Sequence, residues 1–148
     1  MSAAVILLVE DNLMDVELTL DAFAQVGLKN TVTIARTGEE ALNYICGKGK
    51  FADRKNFPTP DLVLLDLKLP GISGHEVLAE LKNDERTKRI PVVVLTSSHE
   101  EGDRAVCYDN GVNSYLVKPI DFGEFVKVVR AIGDYWLTLN VGPPEALR

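Results

Sequence analysis

Four apolar runs divide the chain, and each ends in polar residues of a particular kind. The runs cover residues 5–9, 62–65, 91–95 and 115–117, and they are followed in turn by Glu10 and Asp11, by Asp66, by Thr96, and by Lys118 and Pro119. Short runs that are almost entirely apolar are typical of parallel strands whose sheet is covered on both faces. Because the carboxyl ends of parallel strands meet at one edge, we expect three carboxylates, a hydroxyl and an ammonium to converge there.

Amphipathic segments alternate with these runs and predict helices between the strands. An alternating, β-branched segment at 31–36 adds a fifth strand, and residues 47–60 are expected to form a long loop. Five strand–helix units with right-handed crossovers predict an α/β fold, a three-layer α/β/α sandwich around a five-stranded parallel sheet. The expected helices begin near Asn12, Thr37, Ser73 or Gly74, residue 100 and Asp121, and the last of them extends to about Leu139.

Length and composition indicate one ordinary globular domain. We assign residues 1–140 to this domain and residues 141–148 to a C-terminal tail. Gly142 and the two prolines that follow it are expected to end the regular structure. A net charge of −6 argues against binding to nucleic acid or to anionic membranes, both of which need clustered Lys and Arg. No apolar run reaches the length of a membrane span and no signal peptide is apparent, so a cytoplasmic location is expected. Cys46 and Cys107 are isolated and are expected to be reduced.

The residues at the predicted edge suit phosphoryl chemistry on an aspartate. Asp66 would attack phosphorus to form an acyl phosphate, although a single Asp at a strand end is more often a turn or cap residue. Mg²⁺ needs about six oxygens, several of them from water. Asp11 and Asp66 would bind the metal directly and Glu10 would hold a metal-bound water. Lys118 would offset the charge of the phosphoryl oxygens, and Thr96 would donate a hydrogen bond to one of them.

Several motifs make the chain resemble the receiver domains of response regulators in two-component signalling. These are VEDN at 9–12, LLDLKLPG at 64–71, VVLTSS at 93–98 and YLVKP at 115–119. The resemblance implies the flavodoxin-like strand order 2-1-3-4-5 and a Mg²⁺ (or Mn²⁺) cofactor. It also implies the following roles: Asp66 as phosphoacceptor, Glu10 and Asp11 as the acidic pair, the Lys68 backbone carbonyl as a metal ligand, Thr96 as switch hydroxyl, Tyr115 as switch aromatic, Lys118 as the phosphoryl-binding lysine, and a cis peptide bond between Lys118 and Pro119.

Further segments resemble a narrower group, the phytochrome-associated receivers of cyanobacterial type. They include the loop at 47–60, CYDNGVNSYL at 107–116 and DYWLTLNVGPP at 134–144. Members of that group are single-domain receivers that form homodimers. The resemblance therefore implies a signal carrier rather than an enzyme, which accepts its phosphoryl group from a sensor histidine kinase, with a phytochrome-like sensor as one candidate.

Three other functions compete with this interpretation. A flavodoxin would need a phosphate-binding loop after the first strand, where Glu10 and Asp11 would repel phosphate. A phosphatase with an aspartate nucleophile would need a second Asp two residues after Asp66, and Lys68 occupies that position. A degenerate receiver that acts only as a docking module stays open, because only the complete residue set argues against it.

The last predicted helix has more apolar residues than one sheet contact requires. Its core-facing stripe is Phe122, Phe125, Val129, Ile132 and Trp136, and the apolar residues left over are Val126, Val128, Tyr135, Leu137 and Leu139. The helix end could pack back on its own domain, since single exposed apolar residues are normal. Alternatively, the surplus predicts a symmetric homodimer through helix 4, strand 5 and helix 5, with Tyr135 as an anchor.

Overall fold

The predicted parallel sheet is present in the computed structural model, which describes residues 4–28 and 30–144. The strands are β1 (Val5–Val9), β2 (Thr31–Ala35), β3 (Leu62–Leu65), β4 (Val92–Thr96) and β5 (Ser114–Val117). All neighbouring strands are parallel, and the order β2-β1-β3-β4-β5 confirms the expected topology. Residues 1–3 of the expected domain and 145–148 of the expected tail lie outside the described residues.

Five α-helices connect the strands. They are α1 (Leu13–Gln25), α2 (Gly38–Cys46), α3 (Gly74–Asn83), α4 (Glu101–Asp109) and α5 (Phe122–Ile132). Four of them begin at a residue whose side chain accepts a hydrogen bond from the backbone N–H three positions later, the usual N-cap arrangement. These caps are Asn12, Thr37, Ser73 and Asp121. Local sequence therefore fixes where these four helices start.

The helices cover both faces of the sheet and divide its core into two clusters. Helices α2, α3 and α4 pack on one face, where Tyr44, Leu78 and Cys107 are among the buried side chains. Helices α1 and α5 pack on the other face, around Phe23 and Val129. Strands β3 and β4 are buried along their whole length. The carboxyl ends of the strands, where the site is predicted, are therefore supported by a buried apolar cluster on each face of the sheet. No helix within the described ranges is both long enough and apolar enough to cross a membrane.

The last predicted helix changes its hydrogen bonding part of the way along. After α5, residues Gly133–Leu139 form a π-helical segment, in which the backbone bonds span five residues instead of four. Gly133 lies where a Cβ atom would be 2.9 Å from Leu28 Cδ1, so this part of the helix approaches the loop after α1 closely. In this arrangement Trp136 and Leu137 both pack against the core.

Candidate functional site

Asp66 lies directly after β3 at the carboxyl edge of the sheet. Its backbone N–H donates to the Val9 carbonyl at 3.1 Å, which ties it to the end of β1. The residue is 8% exposed. Its Oδ1 accepts a hydrogen bond from the Lys68 backbone N–H at 3.3 Å, and its Oδ2 accepts one from Lys118 Nζ at 3.1 Å. The carboxylate is thus oriented by two donors, and only a small part of it is exposed.

Gly74, the first residue of α3, packs closely against the backbone of Asp66. A Cβ atom at Gly74 would be 2.3 Å from the Asp66 carbonyl oxygen and 2.6 Å from Leu67 Cα. Its N–H donates to the Leu67 carbonyl at 3.0 Å. Only glycine allows this approach of the helix to the strand end. From the sequence, Gly74 was predicted only as a possible helix start, because the local pattern does not reveal this close contact.

Lys118 lies at the centre of the acidic residues. Its Nζ donates to Glu10 Oε1 at 2.5 Å and to Asp15 Oδ2 and Asp66 Oδ2 at 3.1 Å each, and its side chain is 12% exposed. The Lys118 backbone N–H donates to the Thr96 carbonyl at 2.7 Å, which fixes the residue beside the end of β4. We refer to Glu10, Asp15, Asp66 and Lys118 as the lysine cluster.

The electrostatics of the lysine cluster reflect its burial and its excess of acid. Burial raises the pKa of Glu10 to about 7, and the nearby charge of Asp66 adds to this rise, whereas the hydrogen bond from Lys118 opposes it. Burial disfavours the charge on Lys118, but the hydrogen bond to Glu10 and the charge of Asp66 outweigh it, so the pKa of Lys118 lies above its usual range. Lys118 therefore stays protonated at neutral pH.

The acidic group at the site differs from the predicted one by a single residue. One carboxylate oxygen each of Glu10, Asp15 and Asp66 lie within 4.8 Å of one another. Asp11, which was expected to bind metal directly, is exposed and is outside this group; its carbonyl accepts from Arg36 Nη2 at 2.8 Å. Three convergent carboxylates suit a hard divalent cation such as Mg²⁺ or Mn²⁺.

Asp15 was missed because an acid in the first turn of a helix is usually explained by the helix dipole. The signal that could have found it is its spacing. It follows Asp11 by four residues, at the start of a helix that begins at the carboxyl edge.

Thr96 and Tyr115 meet at the loop after β4. Thr96 is fully buried, and its Oγ1 accepts a hydrogen bond from the Ser98 N–H at 3.3 Å. The Tyr115 hydroxyl donates to the Ser98 carbonyl at 3.1 Å, and its ring packs against the α2–α3–α4 side of the core. The two residues expected to act as a switch therefore share one neighbour, Ser98.

A hydrogen-bond chain continues from Ser98 to α4 and α3. Ser98 Oγ donates to Asp103 Oδ2 at 2.6 Å, and Asp103 Oδ1 lies 2.9 Å from His75 Nε2. The hydrogen bonds from Ser98 and His75 lower the pKa of Asp103. We call Ser98, Asp103 and His75 the α3–α4 chain. Sequence reasoning did not find it, because its members come from three separate segments.

Cys107 lies at the end of this chain and does not act as a nucleophile. Its Sγ is 3.6 Å from His75 Nδ1, which resembles a thiol–imidazole pair. However, the side chain is fully buried, and burial raises the pKa of the thiol to about 11. Nucleophilic cysteines need a lowered pKa and access to substrate. Cys107 is a core residue.

The expected cis peptide bond between Lys118 and Pro119 is wrong. This bond is trans, as are the other peptide bonds of the described residues. The trans form is the favoured isomer even before proline, by about 0.5–1 kcal/mol. The cis form was expected only from the resemblance, and the contacts of Lys118 with the acidic residues are made with a trans bond.

Comparison with known proteins agrees with the geometry. A family model described as the response regulator receiver domain matches residues 6–130. The response regulator Rcp1 of Synechocystis sp. is 41% identical over 90% of this chain and 88% of its own length. The probable methanogenesis regulatory protein FilR2 of Methanothrix harundinacea is 42% identical over 96% of this chain and 89% of its own length.

Solved structures give the same result. The phosphorylated cyanobacterial phytochrome response regulator RcpA superposes with a TM-score of 0.90 at 40% identity, and the match covers 97% of this chain and 100% of RcpA. The Mn²⁺-bound form of Rcp1 superposes with a TM-score of 0.86 and covers 95% of this chain and 99% of its own. The chain therefore belongs to the response regulator receiver domains of two-component signalling.

Proposed function

We propose that this receiver accepts a phosphoryl group on Asp66 from a sensor histidine kinase and relays the signal through a change of conformation. The observation that carries the proposal is the position of Asp66 at the strand end, where one carboxylate oxygen accepts a hydrogen bond from Lys118 and the other accepts one from the Lys68 backbone N–H. A relative in the phosphorylated form, RcpA, supports it. We assign the receiver to residues 1–140 and a tail to 141–148, and we regard the protein as a signal carrier rather than an enzyme.

The transfer forms one bond and breaks another. A carboxylate oxygen of Asp66 attacks phosphorus, the bond between phosphorus and the kinase histidine nitrogen breaks, and that nitrogen keeps the electron pair. The product is an acyl phosphate with nearly two negative charges. Lys118, already 3.1 Å from Asp66, offsets part of this charge.

Mg²⁺, or Mn²⁺ in its place, completes the proposed site. Asp11, Asp66 and the Lys68 carbonyl would hold the metal directly, and Glu10 would hold a metal-bound water. When bound, the metal neutralises charge on the transferring phosphoryl group. The convergence of Glu10, Asp15 and Asp66 and the Mn²⁺-bound form of Rcp1 support a divalent metal at the site, whereas the ligand role of Asp11 rests on the family resemblance.

The proposed output passes through Thr96 and Tyr115. In this structure the Thr96 hydroxyl oxygen accepts a hydrogen bond from the Ser98 N–H. After phosphorylation, the phosphoryl oxygens attract the Thr96 hydroxyl. A shift of this loop changes the position of Ser98 and with it the partner of the Tyr115 hydroxyl. The surface formed by α4, β5 and α5 then differs between the two states, which a downstream partner can recognise.

An apolar rim beside the site supports a protein phosphodonor. A groove of about 290 Å³ is lined in part by Asp15, Leu18, Lys118 and Ile120. Leu18 and Ile120 are exposed there, Ile120 fully. We propose that the kinase packs on this rim, and the relatedness to RcpA makes a phytochrome-like kinase the first candidate. Ile120→Ser should slow transfer from the kinase and leave transfer from acetyl phosphate unchanged.

We further propose a homodimer through α4, β5 and α5. Val126, Val128 and Leu137 pack partly against the core, so the surplus of apolar residues is smaller than expected. Tyr135, Leu139, Val106 and Tyr108 stay exposed, and a groove of about 300 Å³ lies along β5 beside Tyr135. In sedimentation, Tyr135→Asp should weaken the dimer, whereas Met14→Asp, which changes an exposed apolar residue of α1 outside this surface, should not. A monomer at all micromolar concentrations, with and without phosphorylation, would remove the dimer alone.

The phosphorylation itself is tested with a small donor. Incubation with acetyl phosphate and Mg²⁺ should add one phosphoryl group that is labile at alkaline pH, as measured by intact mass. Asp66→Asn should abolish the addition, and Asp21→Asn, exposed on α1, should not affect it. An unchanged mass of the wild-type protein would contradict the proposal and favour the docking module.

A further inference from the structure

Lys118 has no N–H free for a phosphoryl group. An ammonium has three donors, and here they go to Glu10, Asp15 and Asp66. A phosphoryl group on Asp66 brings three new acceptor oxygens to the same position. For Lys118 to bind one of them and keep its bond to Asp66, it has to give up either Glu10 or Asp15.

Asp15 is the partner that can leave most easily. Glu10 is 3% exposed, so loss of its bond to Lys118 would leave a buried carboxyl group without its cation. The Asp15 side chain is 36% exposed, so water can replace Lys118 as its donor. Asp15 also lies on the first turn of α1, where it lines the same groove as Lys118.

We propose that Asp15 is a positioning residue that restrains phosphorylation of Asp66 by competing for Lys118. The proposal rests on the phosphoryl-acceptor function proposed above. Two effects act in the same direction. The ion pair with Asp15 has to break before Lys118 can bind the phosphoryl group, and the Asp15 carboxylate, within 4.8 Å of an Asp66 oxygen, repels the negatively charged donor.

A role of Asp15 as a metal ligand would predict the opposite effect. Loss of a ligand weakens metal binding and slows a metal-dependent transfer. Loss of a competitor speeds the transfer at saturating Mg²⁺, where a change in metal affinity no longer affects the rate. The rate and the metal dependence together therefore distinguish the two roles.

The test measures the initial rate of phosphorylation by acetyl phosphate as Mg²⁺ is varied, in the full chain. Asp15→Asn should react about three- to fivefold faster than wild type at saturating Mg²⁺, the size expected for removal of a half-exposed ion pair. Asp21→Asn, with the same change of charge on the same helix, should match wild type. Asp15→Glu, which restores the charge, should return the rate toward the wild-type value.

Binding of beryllofluoride, a phosphoryl mimic, gives a second measurement at equilibrium. Asp15→Asn should bind it more tightly by a similar factor, because no ion pair has to break. Equal rates and affinities in Asp15→Asn and Asp21→Asn would overturn the inference and leave the phosphoacceptor intact. A slower Asp15→Asn that needs more Mg²⁺ would overturn it in favour of a metal ligand. A wild-type protein that is not phosphorylated would overturn both the proposed function and this inference.

Discussion

Two polar clusters lie on either side of Thr96, and they differ in their balance of charge. The lysine cluster sets three carboxylates against one ammonium. The α3–α4 chain has one carboxylate, which a hydroxyl and an imidazole share. An excess of acid attracts a cation, whereas a chain of matched donors and acceptors needs nothing from outside. The first cluster is suited to bind a ligand, and the second is suited to hold two helices and a loop together.

The largest expected effect comes from removing the lysine that joins the acids. Lys118→Ala should still allow some phosphorylation but should abolish the resulting change at Tyr115. The reason is that no ammonium group is then present to bind the phosphoryl oxygens and shift the loops toward Asp66. A fully populated switch needs about 5 kcal/mol of difference between its states. NMR signals of the Tyr115 ring, recorded with and without acetyl phosphate and Mg²⁺, measure the change.

Two further variants complete this test. Thr96→Ala should behave like Lys118→Ala, since it removes the hydroxyl on the other side of the phosphoryl group. Lys127→Ala, which removes an exposed lysine from α5, should keep the full change. A full change at Tyr115 in either Lys118→Ala or Thr96→Ala would contradict the coupling.

The next effect concerns the backbone beneath the lysine cluster. Gly74→Ala should destabilise the fold by about 1–3 kcal/mol, because its Cβ would overlap the Asp66 carbonyl, and it should slow phosphorylation by displacing Asp66. Gly102→Ala, in α4, meets no atom within 4 Å and should stabilise its helix by up to about 1 kcal/mol. Denaturant unfolding of both variants measures the difference, and equal stabilities would show that the close contact is unimportant.

Metal binding should stabilise the lysine cluster and leave the α3–α4 chain unaffected. At about one hundred times its dissociation constant, Mg²⁺ should add about 2.7 kcal/mol, which is about 5–10 °C in melting temperature for a chain of this size. Asp66→Asn and Asp11→Asn should both reduce this shift. Because Asp11 lies outside the convergent group, an undiminished shift in Asp11→Asn alone would transfer its proposed ligand role to another carboxylate.

The smallest effect is expected in the α3–α4 chain. Asp103→Asn should cost about 1 kcal/mol, since the pair with His75 is partly exposed and its hydrogen bonds are replaced by water. Asp109→Asn, an exposed residue of the same helix without these contacts, should be neutral or slightly stabilising. Thermal unfolding with Mg²⁺ present separates this effect from metal binding. A loss that exceeds that of Gly74→Ala would mean that the chain, and not the strand end, carries the stability of this region.

The sequence predicted what depends on short-range pattern. The end of β3 before Asp66, the end of β4 at Thr96, and helix caps such as Thr37 follow from the order of apolar and polar residues, and the structure confirms them. Asp15 was not assigned, because its contact with Lys118 forms only when folding brings the first turn of α1 to the end of β5. His75 and Asp103 lie 28 residues apart, so their contact needs the packing of α3 on α4.

The central claim is that Asp66 carries the phosphoryl group, and chemical trapping tests it most directly. Borohydride reduces an acyl phosphate to an alcohol, so treatment of the phosphorylated protein should convert one aspartate to homoserine. Peptide mapping by mass spectrometry locates the change. The account predicts homoserine at position 66 and at no other aspartate, and none when acetyl phosphate is left out. Homoserine at Asp11 or Asp15 instead, with Asp66 unchanged, would contradict it.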